Sequence, residues 1–427
     1  MTPAVLNIER LAAGGDGVAR LGERVVFVGA TVPGDRVEVE LVEETERSAR
    51  GRVLRLLESS PDRVAPGCDH VEACGGCTWL HVSERAQHQA KEQLFAEALA
   101  RIGGSARQAL QVNPLIASPK PLRYRQRATL HLSGGRLGYR AQRSHTLVEV
   151  HACPQLDERL EAAVGKLREA LATEGAPPKC TDVALACDAR RVTAAFHVAA
   201  SGRAVAERVE RLMRRSGLEG AVIVPEGGRG EPLGKPLLSF AAPLAPGVTL
   251  HGRADLFAQA NAGANELLVG EAMRMLGAPA APGSALLELY SGAGNFTFAA
   301  ARKGFAVTAI ESSTDAVELA RRSAREAGIS TARFVLGDAL KCAEAQAREG
   351  RSFEALLLDP PRAGAKGIAQ LAQRCGARRV VYVSCDPGTL ARDLRDLHEA
   401  GFAPREATPV DMFPQTFHLE GVVVLER

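Results

Sequence analysis

From Ala285 to Cys385 the chain repeats one pattern, in which a short apolar run gives way to a turn, an amphipathic helical segment and the next apolar run. The runs are ALLELY (285–290), FAVTAIE (305–311), ARFVLGD (332–338), FEALLLD (353–359) and RVVYVSC (379–385). Strands that are apolar on both alternating faces must be covered on both sides, and strands separated by helices pair in parallel. The fold class is therefore α/β, with a doubly wound, Rossmann-like parallel sheet. Two last strands, REATPVDMF and EGVVVLE, have no helix between them and predict a terminal antiparallel hairpin on that sheet. The linker GAPAAPGS precedes the pattern, after the helical run NAGANELLVGEAMRML.

The rest of the chain reads differently. Residues 1–60 are short alternating runs broken by Gly-Asp and Pro-Gly-Asp, which predicts a small OB-like β-barrel of about five strands. Residues 61–255 mix a cysteine-rich loop, the helical segments SERAQHQAKEQLFAEALARIGG, LDERLEAAVGKLREALA and AVAERVERLMRRSG, and several strands, as an α+β central domain. The sheet domain is expected over 256–427. A net charge of +3 hides one polarised window, since residues 101–150 hold nine basic residues (Arg101, Arg107, Lys120, Arg123, Arg125, Arg127, Arg136, Arg140, Arg143) against Glu149 alone. No apolar stretch approaches the ~18 residues of a bilayer crossing, and no basic start with an apolar run opens the chain, so neither membrane insertion nor export is expected.

The carboxyl ends of the strands carry the chemistry. Gly292-Ala293-Gly294 follows the first strand directly and opens a helix, which lets a ligand approach the backbone. Glu311, Asp338 and Asp359 end the next three strands, a set of acids that suits a nucleoside-bearing cofactor with few phosphates; S-adenosylmethionine fits better than NAD or ATP. Cys385 ends the fifth strand before a helix, where the dipole would stabilise a nucleophilic thiolate. In FPQTFHLEGVVVL, His418 or Glu420 could serve as a general base near the same edge.

The nine cysteines are scattered and odd in number, which argues for thiols rather than a disulfide framework. Cys68, Cys74 and Cys77 are nevertheless close, around Gly75-Gly76, and Cys153-Pro154 offers a fourth ligand. A tight triplet with a distant Cys-Pro favours a [4Fe–4S] cluster over zinc. Neighbouring His70, His81 and His151 read as surface residues, and Cys180, Cys187, Cys342 and Cys375 as structural.

With SGAGNF, DPPR, SCDPGTLARDL and FPQTFHLE in one order, the chain resembles the bacterial RNA 5-methyluridine methyltransferases along nearly its whole length. The resemblance extends to a TRAM domain over 1–60, the cluster cysteines, YRQRATLH, SHTLVEVHAC and an F-x-Q-x-N element in Phe257 to Asn261. It implies cofactor contacts at Gln259, Tyr290, Asn295, Glu311, Asp338 and Asp359, a nucleophile at Cys385, a base at Glu420 and cluster ligands at Cys68, Cys74, Cys77 and Cys153. Asp386 replaces a frequent Asn and Leu419 a frequent Val, and neither change removes a reacting group. The implied activity is S-adenosylmethionine-dependent methylation of uridine C5 by a cytoplasmic monomer that acts on RNA, not DNA. TRAM and cluster together point to 23S ribosomal RNA, with the tRNA T-loop uridine as the second reading. A non-catalytic RNA-binding or assembly protein is the third, and intact Cys385, Glu420 and Asp359 argue against it.

Overall fold

The computed structural model describes residues 3–427. Its C-terminal half is an eight-stranded sheet in the order Ala332–Leu336, Ala306–Glu311, Ala285–Leu289, Ala355–Leu358, Arg379–Ser384, Glu420–Glu426, Ala403–Val410 and Gln111–Val112. The first five strands are parallel, and Glu420–Glu426 runs antiparallel to both of its neighbours. The expected terminal hairpin is present, but its second strand inserts inward, beside Arg379–Ser384, and its first lies outside it. The apolar runs are buried on both faces: Leu287, Leu356, Leu358, Val380 and Tyr382 enter one core, while Leu286, Leu357, Val381 and Val383 enter the other. That is the period of two that a covered sheet requires.

Two contributions come from outside the repeating pattern. The helix Glu84–Ala100, capped by Ser83, lays Phe95 and Leu99 into the same core as Tyr382 and Leu390. Strand Gln111–Val112 then extends the sheet by pairing in parallel with Ala403–Val410. Two residues carry no periodicity, so that strand is not visible in sequence.

The central sheet orders Leu147–Val148, Arg136–Arg140, Arg127–Ser133, Cys180–Cys187, Val192–Val198, Gly220–Pro225 and Glu231–Gly234, and the helices Glu158–Glu174 and Arg203–Ser216 pack on it. The N-terminal unit has six strands rather than about five, in the order Ala4–Asn7, Arg36–Glu44, Ser48–Glu58, Arg24–Val28, Gly17–Leu21 and Arg10–Leu11. It is locked to the cysteine loop by the buried Trp79, whose indole N–H donates to Gly15 O at 3.1 Å. Among the described residues, no helix is long and apolar enough to cross a membrane.

Phe298 is fully buried beneath the turn that follows the first strand of the large sheet. Phe298→Ala is expected to cost about 3–5 kcal/mol, the range for emptying a buried aromatic site, measured as a lowered urea midpoint for the transition of the C-terminal domain.

Candidate active site

The turn after Ala285–Leu289 is tightly specified. Tyr290 sits at φ 62°, Gly292 at 55° and Gly294 at 98°, and a Cβ on Gly294 would lie 2.6 Å from the Phe298 ring. Glycine is thus required at 294 by conformation and by space. Asn295 exchanges side-chain hydrogen bonds with Asn265 of the helix Ala262–Leu276, at 2.8 and 2.9 Å. Glu311, at the tip of the next strand, accepts from Gly292 N at 3.0 Å and from Ser313 N at 2.7 Å. Asp338 caps the helix Ala339–Arg348 through Lys341 N.

A cavity of about 440 Å³ opens beside this turn, and Gln259, Tyr290, Asn295 and Asp359 all line it. Glu311 and Asp338 are not on its wall; they stand at the adjoining strand ends. The FAQAN loop at its rim is held from below by Arg127, whose guanidinium donates to the carbonyls of Arg253, Ala254 and Leu256. Burial lowers the Arg127 pKa to about 10. Phe257, 78% exposed, stands at the mouth.

Cys385 and Glu420 come together through strand register. Ser384 pairs with Gly421, so Cys385 and Glu420 are the next residues beyond the last rung of the antiparallel ladder, and the Glu420 charge acts on the thiol. Asp359 and Arg362 of the DPPR segment complete the group. Glu420 is 3% exposed, its Oε2 has no hydrogen-bond partner, and burial, then the Asp359 charge, push its pKa well above the usual carboxylate range against the pull of Arg362. Burial lifts Asp359 to about 7. The Cys385 thiol rises to about 11, first by burial and then through Glu420 and Asp359.

That last shift corrects the expectation of a dipole-stabilised thiolate. The helix Pro387–Glu399 is capped by Asp386, which accepts from Gly388 N and Thr389 N at 2.9 Å, so those N–H groups do not serve the sulfur. His418 is held neutral: burial, then Arg362, lower its pKa to about 4, and its ring is tilted against that of Phe417, with centroids 4.1 Å apart. Of the two candidate bases, Glu420 is the one in the cysteine's electrostatic environment. A further carboxyl, Glu288, escaped the sequence reading although an acid inside the run ALLEL was its signal; it is buried, donor-paired with Thr297 Oγ1 at 2.6 Å, and raised by burial to about 8.

The four cluster-type cysteines lie in one neighbourhood, where they act on one another's thiols. The loop carrying Cys68, Cys74 and Cys77 docks on the hairpin at Ala141 through Gly75 N to Arg140 O at 2.9 Å, and Gly75 has backbone atoms 3.0 Å from where a Cβ would stand. Burial raises the Cys74, Cys77 and Cys153 thiols, and each also feels neighbouring cysteines of the set. Among the described residues, no group of three or more His, Cys, Asp or Glu is arranged to hold a metal ion. His70 and His151 flank the set with ring centroids 6.1 Å apart, whereas His81, expected at the surface, is buried with Nε2 3.3 Å from Thr31 O. The basic window does not form one outward face either. Arg125 lies over the Tyr124 and Phe413 rings and Arg127 turns inward, while Arg123, Arg136, Arg140 and Arg143 are exposed. The side chain of Arg107 lies outside the described residues.

Comparison with known proteins adds a family context. Residues 248–427 match the family model described as tRNA (Uracil-5-)-methyltransferase, and residues 6–54 match the TRAM domain. The chain is 34% identical to a 23S rRNA (uracil(1939)-C(5))-methyltransferase RlmD of Edwardsiella ictaluri, over 99% of this chain and 95% of that protein. It is also 34% identical to the Klebsiella pneumoniae protein of that description, over 97% and 93%. Its fold is similar to the crystal structure of Pyrococcus abyssi tRNA (uracil-54, C5)-methyltransferase in complex with S-adenosyl-L-homocysteine, with a TM-score of 0.74 and 23% identity over 98% of this chain and 99% of that one.

The raised thiol gives a measurable pH profile. Iodoacetamide labelling of Cys385 in the free protein, followed by peptide mass spectrometry, should still be accelerating above pH 9, as expected for a thiol lifted to about 11. Asp359→Asn removes a charge that opposes the thiolate and should move the midpoint to lower pH. A midpoint below pH 8 in the unsubstituted protein would contradict the geometry.

Proposed function

The chain belongs to the RNA uracil-C5 methyltransferase family, and from that premise we propose that it methylates C5 of a uridine in 23S ribosomal RNA, using Cys385 as nucleophile and Glu420 as base. The observation that carries the assignment of roles is the juxtaposition of Cys385, Glu420 and Asp359 at one strand edge beside the Gln259–Tyr290–Asn295 cavity. The full-length relatives named for 23S rRNA support the substrate. The likeness to the archaeal tRNA enzyme carries the fold alone, so the T-loop reading stays second.

Uracil C5 is too weakly nucleophilic to take a methyl group unaided. Cys385 therefore reacts as the thiolate, its proton passing to solvent, and its Sγ adds to C6, which shifts the ring electrons toward C5 and makes it enolate-like. S-adenosylmethionine supplies the methyl group and, through its sulfonium, a positive charge that offsets the carboxyl charges around the cysteine. The Glu420 carboxylate then takes the C5 proton, the C5=C6 double bond re-forms and the C6–S bond breaks. The Glu420 Oε2 has no hydrogen-bond partner, so once the carboxyl has ionised nothing in the site competes for that oxygen. Gln259, Tyr290, Asn295 and Asp359 would hold the donor in the cavity, with Glu311 and Asp338 at its margin.

A target base stacked in RNA has to be flipped to reach Cys385. A second cavity, of about 590 Å³ and bounded by Phe27, Arg50, Arg140, Arg143 and Phe417, joins the N-terminal sheet to the catalytic loop. Aromatic faces with arginines suit unstacked nucleotides and their phosphates. The protein acts in this reading as a monomer on RNA in the cytoplasm.

Cys68, Cys74, Cys77 and Cys153 offer a soft, half-buried donor set, and the Cys74, Cys77 and Cys153 thiols are disfavoured as free anions, the condition under which a cationic group stabilises them. We assign them to a [4Fe–4S] cluster that ties the cysteine loop to the basic hairpin. Anaerobically purified protein is expected to contain about four iron and four sulfide per chain; one zinc and no sulfide would overturn the assignment.

The mechanism is tested with 23S fragments carrying 5-fluorouridine at the target. Fluorine cannot leave as a cation, so the complex should be trapped covalently and resist denaturing gels. Cys385→Ala is expected to abolish both trapping and methylation while leaving S-adenosylmethionine affinity nearly unchanged. Methylation by the Ala variant would remove Cys385 from its role.

A further inference from the structure

Glu420 follows the segment Asp411–Leu419, and that segment is held by one face of the helix Glu84–Ala100, some 320 residues away in sequence. Gln87, Lys91 and Phe95 follow at intervals of four residues, so they form a single stripe, and each is at most 2% exposed. Gln87 grips Gln415 twice: its Oε1 accepts from Gln415 N and its Nε2 donates to Gln415 Oε1, both at 2.9 Å. Gln415 needs such a grip, because its φ of 68° is a left-handed conformation that a non-glycine residue adopts at a cost. Lys91 Nζ donates to Asp411 Oδ1 at 2.5 Å and to Phe413 O at 3.1 Å. The Phe95 ring fills the space in which a Cβ of residue 421 would stand, 2.5 Å from that position, so only Gly421 fits beneath it.

These contacts bracket Glu420. Val410, its cross-strand partner, adjoins the Asp411 that Lys91 holds, and Gly421, its neighbour in the chain, lies under Phe95. A fully buried lysine–aspartate pair is seldom the most stable way to fill a core, since apolar residues of similar volume often do as well. Its distinguishing property is that it fixes one position of the Asp411 side chain and, through the Phe413 carbonyl, of the loop beyond. Cys385, on the loop after Arg379–Ser384, receives none of these bonds.

We propose that the Gln87–Lys91–Phe95 stripe is the device that positions Glu420 for C5 proton removal, with Lys91 as its principal positioning residue. This rests on the reading of Glu420 as the base. The consequence is selective: loss of Lys91 impairs the breakdown of the methylated intermediate while leaving thiol addition and methyl transfer in place.

The test uses full-length protein, unmodified target RNA and S-adenosylmethionine, with Glu420→Gln run in parallel. Lys91→Met keeps most of the stem and removes the ammonium. It is expected to lower turnover by about 10²-fold, the scale of a misplacement of about 1 Å, and to accumulate a methylated covalent adduct on denaturing gels. Adduct formation should stay within about threefold of the unsubstituted rate, because the attacking group is untouched. The double variant Lys91→Met/Asp411→Asn leaves no unpaired charge in the core, and it should give the same adduct if the single variant fails to fold. If Glu420→Gln gives no adduct, the reading of the base falls and this inference with it. If Glu420→Gln gives one, but the folded Lys91 variants lose adduct formation and turnover in parallel or keep full turnover, the positioning role alone is overturned.

Discussion

The antiparallel ladder between Arg379–Ser384 and Glu420–Glu426 is the constraint on which the site depends. A purely parallel sheet would present only strand ends at its carboxyl edge. Inserting one reversed strand brings a strand beginning to that edge, so Glu420 enters beside the Cys385 that leaves. The alternation of Val422 and Val424 into one core and of Val423 and Leu425 into the other locks the register, because a slip of one residue would exchange the faces. The proposed nucleophile and base are therefore aligned by the hydrophobic pattern of two strands, and their alignment needs no bond between their own side chains.

The same edge concentrates charge that the interior does not welcome. Glu288, Asp359 and Glu420 are all lifted by burial, and Cys385 is lifted with them. At neutral pH the free enzyme holds protons that its chemistry must later move. Arg362, exposed at the end of the DPPR segment, opposes both the Glu420 and the Cys385 shifts. A cationic methyl donor in the neighbouring cavity would complete the balance, which links thiol activation to occupancy of the donor site.

Much of this was legible in the sequence, for physical reasons. The strands of the large sheet were, because burial on both faces demands continuous apolar runs. So were the acids at the ends of the second, third and fourth strands, and the helix Ala262–Leu276. The buried Lys91 was not: a lysine in an amphipathic helix reads as solvent-facing, and its partner Asp411 is 320 residues away. Arg125 and Arg127 read as part of a basic face for the same reason, since their inward partners are aromatic rings and backbone carbonyls that leave no charge pattern. The helix beginning after Cys385 suggested a low thiol pKa, but Asp386 occupies its N–H groups and the surrounding acids reverse the shift. The resemblance of the motifs supplied Gln259, Tyr290 and Asn295, which no periodicity would have singled out.

The role of Cys385 in methylating a uridine of 23S rRNA is tested most directly by mapping 5-methyluridine in ribosomal and transfer RNA from cells lacking this protein, complemented with either the unsubstituted chain or Cys385→Ala. A 23S rRNA methyl group is expected to disappear, the unsubstituted chain to restore it, and the Ala variant to leave it missing. An unchanged 23S rRNA, with or without loss of the T-loop methyl group of tRNA, would contradict it.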